Sequence, residues 1–231
     1  MPGHAKITIS KNGPYLVSGD VPLAVQQIES NAAGESINWK EGKRWPAAAK
    51  YALCRCGESK TKPFCDGTHT KIGFNGKETA AHRPIMEEAT ILDGPMMELA
   101  DAEELCAFGR FCDPHGQVWN QVEGVDKPAK RTQFVHQVGM CHSGRLMAID
   151  KESGKVVEPE LPVSIGVVED PVVGCSGPLW VRGGITIEDS HGVAYEVRNR
   201  VTLCRCGRSE NKPFCNGAHA ADPKFHDGVG A

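Results

Sequence analysis

Ten cysteines and nine histidines are spread along the 231 residues, and eight of them fall into one spacing that occurs twice. Cys54, Cys56, Cys65 and His69 follow Cys-x-Cys-x8-Cys-x3-His, and Cys204, Cys206, Cys215 and His219 repeat it. Thiolates and imidazoles are ligands for soft and borderline metals. Neighbouring Cys-x-Cys thiolates can chelate one metal ion, and a Cys-x3-His pair faces one way if the segment turns helically. Two ligand pairs suit two irons. In Rieske centres imidazole replaces thiolate on one of the irons, so three cysteines and one histidine suffice for an iron–sulfur cluster. The same donors satisfy a tetrahedral zinc site, and ligand types alone leave both open. Spacing favours the cluster, because zinc ribbons present their cysteines as Cys-x2–4-Cys knuckles.

The repeat is wider than its ligands. Cys54 to His69 and Cys204 to His219 agree at eleven of sixteen positions, and upstream Gly13-Pro-Tyr-Leu-Val-Ser-Gly19 echoes Gly177-Pro-Leu-Trp-Val-Arg-Gly183. From Gly-Pro to the first motif cysteine is 41 residues in copy one (54 − 13) and 27 in copy two (204 − 177). Copy one therefore carries an insertion, placed by its polarity and glycines at about Ser30 to Pro46. Both segments resemble the CDGSH iron–sulfur domain family, the mitoNEET-like proteins, whose signature is Cys-x-Cys-x2-Ser/Thr-x3-Pro-x-Cys-Asp-Gly-Ser/Ala/Thr-His. Copy one meets every position, including Ser59 and Pro63; copy two departs once, with Asn216 in place of aspartate.

That resemblance implies two [2Fe–2S] clusters, with Cys54 and Cys56 on an inner iron, Cys65 and His69 on an outer one, and Cys204, Cys206, Cys215 and His219 in the same roles. It implies a strand-rich fold assembled as a homodimer around two clusters. Here one chain supplies both halves, so the expectation is a monomer with an internal pseudo-twofold. Asp66 and Asn216 are expected to N-cap short helices that aim backbone donors at an anionic cluster.

The elements that must position these ligands are read from apolar runs and turn residues. The 26 glycines and 15 prolines are dispersed, which argues for many short strands and turns. Strands are expected at Tyr15–Val17, Tyr51–Leu53, Leu179–Val181, Ile185–Ile187, Tyr195–Val197 and Val201–Leu203. The fold class is mainly β with short helices (α+β): a first CDGSH unit at 1–84, a partly helical middle segment at 85–165 and a second CDGSH unit at 166–231, the two units forming an intramolecular pseudo-dimer. In the middle, Leu99 to Cys112 reads as an amphipathic helix N-capped by Asp101, a second helix runs from about Pro128 to Val138 and stops at Gly139, and a hairpin turns at Glu152-Ser-Gly154. Cys106, Cys112 and Cys141 weakly resemble the sparse pattern of divergent single-cluster ferredoxins, but no fourth ligand is evident beyond the spare Cys175. The preferred reading makes them buried core residues, with a third cluster as the alternative.

A net charge of −3 provides no basic field for nucleic acid. No apolar run approaches a membrane span, and Met1 to Ser10 lacks the apolar core of a secretory signal, so a cytoplasmic protein is expected. In that compartment cysteines serve as ligands more often than as disulfides. No phosphate loop, nucleophile elbow or His-Glu-x-x-His motif is present. The function expected is electron transfer or redox sensing rather than enzymatic catalysis, with redox partner proteins. The alternatives are cluster storage and delivery to apo-acceptors through acid-labile clusters, and a zinc-binding interaction module.

Overall fold

The computed structural model describes residues 4–229; residues 1–3 and 230–231, at the outer ends of the two sequence-read units, lie outside the described residues. Alternation of side chains sets the first strands. β1 (Lys6–Ile9) turns Ile7 and Ile9 inward, and β2 (Tyr15–Ser18) buries Tyr15 and Val17 while Leu16 faces solvent. β3 (Leu23–Ser30), β4 (Ser36–Arg44) and β5 (Lys50–Leu53) follow, and β5 runs directly into Cys54. After a four-residue helix, α1 (Thr68–Lys71), the middle of the chain forms β6 (Thr90–Asp93), β7 (Met97–Asp101), α2 (Val118–Gln121), α3 (Pro128–Gly139), β8 (Leu146–Asp150) and β9 (Lys155–Val157). Strands then return as β10 (Ser164–Asp170), β11 (Cys175–Arg182), β12 (Thr186–Glu188) and β13 (Arg200–Leu203). The protein is mainly β with short helices.

The two sequence-read units exchange strands. One sheet has the order β12-β1-β2-β5 and a second β13-β11-β10-β3-β4. β12, from the second half, lies parallel to β1 with Ile187 opposite Ile7. β3, from the first half, lies parallel to β10 with Val25 opposite Val167. The exchange is reciprocal, so each sheet is completed by the other half's chain. One core runs through both sheets, joining Ile7, Tyr15 and Leu53 to Ile165, Leu179 and Leu203. Burying an apolar side chain of this size stabilises by about 1.5–3 kcal/mol, so neither half retains its core alone.

Several expectations change. The insertion expected at about Ser30 to Pro46 is a long arm: β3 and β4 pair with bulges at Ala24/Gln26 and Glu29/Ser30. β4 is exposed along most of its length, which is why it carries no apolar signature. Tyr195–Val197 is not a strand. An isolated bridge, Glu188 to Ala194, and one bond from the Tyr195 amide to the Ile187 carbonyl (2.9 Å) pair there, and the Tyr195 ring stacks on His82 at 4.0 Å.

The helix expected over Leu99 to Cys112 is also not formed. Met97 to Asp101 is β7, central in the third sheet, β6-β7-β8-β9, with Leu99 opposite Ala148. Asp101 caps no helix; it accepts two 2.6 Å hydrogen bonds from Arg145 and one of 2.9 Å from Trp119 Nε1. Tertiary pairing outweighs a local helical pattern here. Residues 103–105 form one 3-10 turn and 106–112 are loop. The second middle helix is α3, with Pro128 in its first turn, and Phe134 and Val138 pack on Leu99, Leu146 and Ala148. The hairpin at 152–154 is the β8–β9 turn.

Candidate functional site

β5 and β13 each end one residue before the first motif cysteine, and the following loop folds back on its strand. In the first copy the Cys54 amide donates to the Pro63 carbonyl (2.8 Å) and the Cys65 amide to Ala52 (2.9 Å). Ser59 Oγ donates to the Phe64 carbonyl at 2.6 Å and accepts the Thr61 amide. The signature serine thus closes the loop that brings the third cysteine beside the first. The second copy repeats the bonds: Cys204 to Pro213 (2.8 Å), Cys215 to Thr202 (3.0 Å) and Ser209 Oγ to Phe214 (2.7 Å).

The sequence-predicted donors come together as two close pairs per copy. Cys54 and Cys56 Sγ are 3.8 Å apart, and Cys65 Sγ is 3.3 Å from His69 Nδ1. The corresponding distances in the second copy are 3.7 Å and 3.4 Å. Among the described residues no group of three or more His, Cys, Asp or Glu side chains is set to hold one ion. Gly67 and Gly217 amides point at the outer cysteine sulfurs at 3.5 Å and 3.4 Å. Asp66 and Asn216 sit one residue earlier than expected, since the N-cap residues are Gly67 and Gly217. Their side chains still accept the Thr68 amide (2.9 Å) and the Ala218 amide (3.3 Å).

The two loops meet back to back. Cys56 and Cys206 form an antiparallel bridge. A Cβ on Gly57 would lie 2.6 Å from the Cys206 carbonyl oxygen, and one on Gly207 would lie 2.6 Å from that of Cys56; both glycines have positive φ. This reciprocal contact marks a pseudo-twofold axis through the inner cysteines. Tyr15 of the first half crosses it, donating to the Cys204 carbonyl at 2.7 Å.

Spacing alone gave no weight to the residue between the inner cysteines, although its identity in both copies was a visible signal. It is a buried arginine. Arg55 donates to the Gly76 carbonyl (2.6 Å) and lies 3.7 Å from Glu78. Arg205 donates to the Gly177 and Val168 carbonyls and to Glu169 (2.7 Å), and pairs with Asp227. Each fixes a cation beside the inner thiols, where negative charge would gather.

The halves differ in solvent access. Cys65 and His69 are half-buried, whereas Cys215 and His219 are 2% and 3% exposed. The middle segment covers the second site: the Cys106 carbonyl lies 3.2 Å from where a Gly217 Cβ would be. Burial pushes the Cys56 thiol up to about 11 and pulls His219 down to about 4. A hydrogen bond from Cys206 holds Cys204 lower, at about 6. Cys175 lies apart, near Asp170, while Cys106, Cys112 and Cys141 line one pocket of the middle segment.

Residues 12–70 and 176–220 match the family model described as the iron-binding zinc finger of CDGSH type. The chain carries two CDGSH-type iron-binding domains. The first match includes the β3–β4 arm, so the arm lies inside the matched domain. Both CDGSH motifs are matched in full, and residues 71–175, with the third sheet, lie between the matches. No curated protein and no solved structure matches the chain. Among the described residues no helix is long and apolar enough to cross a membrane.

Proposed function

We propose that this CDGSH protein holds two [2Fe–2S] clusters, one on Cys54, Cys56, Cys65 and His69 and one on Cys204, Cys206, Cys215 and His219, and passes single electrons between redox partner proteins as a cytoplasmic monomer. The pairing of the donors carries this reading. Each set holds two close donor pairs, Cys–Cys and Cys–His, which would suit two irons bridged by sulfide. A bound cluster supplies one-electron chemistry. The chain's own residues tune it: a neutral imidazole replaces one thiolate charge, the Gly67 and Gly217 amides face sulfur, and the buried Arg55 and Arg205 offset anionic charge.

Iron and sulfide analysis with a visible spectrum tests the cluster, and a redox titration tests the role. Colourless protein with one zinc per site would sink the cluster reading. Both potentials are expected above the about −400 mV of plant-type ferredoxins; values at that figure would refute the imidazole argument.

The half-exposed outer pair of the first site favours a second reading, delivery of that cluster to apo-acceptors. It is tested by mixing with an apo-ferredoxin. Transfer from the first site alone, stopped by His69→Cys with the cluster retained, supports it; equal transfer from both sites removes it.

A further inference from the structure

We propose that a cleft between the β3–β4 arm, β11 and the middle segment binds a small aromatic monocarboxylic acid, with its carboxylate on Arg182. The cleft has a volume of about 460 Å³ and is bordered by residues of β3, β4, β11 and α3 and by the chain from Val157 to Leu161. Its apolar lining includes Trp39, Trp180, Met140, Val157 and Leu161. Such a size and lining suit a small molecule, for which apolar walls supply affinity and a few polar groups fix the orientation. No motif cysteine or histidine borders the cleft, so binding here does not depend on what the CDGSH sites hold.

Two lining residues have donors left unused. Trp180 is 4% exposed, yet its Nε1 has no hydrogen-bond partner, and Arg182 Nε is likewise buried without one. A buried indole N–H ordinarily finds an acceptor, and each exception in a native fold calls for an explanation. Trp39 shows the ordinary case: its Nε1 donates to the Met140 carbonyl at 3.3 Å. Residues 180 and 182 share one face of β11, and the Arg182 guanidinium lies over the Trp180 ring, 4.6 Å from its centroid. Both unpartnered atoms are donors. The group they lack is therefore an acceptor.

Charge narrows that acceptor to a single anion. Two glutamates border the cleft, and each already has a cation: Glu41 pairs with Arg44, and Glu158 with Arg200 at 2.7 Å. Glu41 also accepts a hydrogen bond from Gln26 Nε2 at 3.2 Å. Arg182 is the cation left over. Burial lowers its pKa from the ordinary value, while Glu41 and Arg44 act on it in opposite senses. One carboxylate accepts two parallel hydrogen bonds from a guanidinium and restores the balance of charge. A doubly charged phosphate would overshoot that balance beside Glu41 and Glu158. The Trp39 and Trp180 rings, 4.6 Å apart and tilted by 36°, favour an aromatic body, which gains offset or edge contacts that an alkyl chain lacks.

Calorimetric titration of the full-length protein, as purified, with cinnamate tests the proposal. A single binding event per chain is expected. Arg182→Gln should weaken it by about 10-fold or more, and Trp180→Phe, which keeps a ring and removes the N–H, by about 3-fold or more. Failure of cinnamate to bind at millimolar concentration, or unchanged affinity in both variants, overturns the site. Three further ligands test the same contacts on wild type, so a variant that fails to fold leaves the question decidable. Cinnamamide keeps the body and loses the charge, and should bind about 10-fold more weakly or worse; affinity equal to that of cinnamate overturns the carboxylate contact with Arg182. Cinnamyl phosphate and octanoate should both bind more weakly than cinnamate. Tighter binding of the phosphate overturns the single-charge assignment, and tighter binding of octanoate overturns the aromatic one.

Discussion

Gly57 and Gly207 offer a direct test of the reciprocal contact between the two loops. An alanine at either position acquires a left-handed backbone, with φ near 83° at Gly57 and 78° at Gly207, at about 1–2 kcal/mol. Its Cβ also meets a carbonyl oxygen at 2.6 Å, and that atom belongs to the backbone of a motif cysteine, so the loops must separate at about 1–3 kcal/mol more. Gly67 is the control. Its φ is 84°, yet a Cβ there would meet nothing within 4 Å, so Gly67→Ala should cost the backbone strain alone. Urea unfolding is expected to show Gly57→Ala and Gly207→Ala destabilised by about 2–5 kcal/mol, against about 1–2 for Gly67→Ala. The cross-talk is more specific still. Gly57→Ala displaces Cys206, a donor of the other site, and should speed metal loss there. In a Cys65→Ser background, where only the second site is intact, Gly57→Ala should therefore accelerate bleaching more than it does in a Cys215→Ser background. Equal costs for Gly57→Ala and Gly67→Ala, or faster loss from the first site, would refute the back-to-back geometry.

Arg205→Ala leaves Glu169 and Asp227 buried without their cation and is expected to cost about 3–5 kcal/mol; a loss under about 1 kcal/mol in urea unfolding contradicts the reading of Arg205 as the charge anchor of the second loop. Tyr15→Phe removes one hydroxyl, bonded to the Cys204 and Pro213 carbonyls, at about 1–2 kcal/mol. It should hasten chelator-driven metal loss from the second site and leave the first unchanged. Asp189 has a carboxyl below the ordinary 3.8: burial raises it, but the Val193 and His191 amides and the His82 ring outweigh that. A depressed carboxyl stabilises the folded state above its unfolded pKa and loses that contribution as pH falls through its folded value. Wild type should thus lose stability relative to Asp189→Asn only below about pH 4; a difference that vanishes already near pH 6 rules the assignment out.

How far the sequence reaches depends on how local each determinant is. The motif cysteines and histidine of each copy lie within sixteen residues, and the strand, the serine-closed loop and the outer helical turn that position them belong to the same stretch, so their coming together in pairs is legible from spacing. α3 was legible for a similar reason, with proline at its start and glycine at its end. The strand exchange was not. Val25 and Val167 are 142 residues apart (167 − 25), and an apolar strand looks the same whether its partner is its own half or the other. β7 was misread because Leu99 to Cys112 does carry spaced apolar residues, and only pairing with β6 and β8 shows that the first five belong to a sheet.

Fusion of the two halves explains why they need not stay alike. In a pair of identical chains a change at one site is imposed on both, whereas here Asp66 and Asn216, Glu58 and Arg208, or Tyr15 and Leu179 can diverge separately. The strand exchange keeps the halves joined while they do. It also fixes where asymmetry arises: β3 carries the arm onto the second sheet, and Trp39 on the arm packs against Trp180 and Phe111 at 4.6 Å and 4.7 Å. Phe111 belongs to the same loop as Cys106 and Cys112. The first half's arm, the second half's sheet and the middle segment are thereby locked together over the second site, while the first keeps its outer pair open to solvent. A single chain thus leaves one cysteine–histidine set open to solvent and encloses the other, a division that an exchange of two identical subunits could not produce.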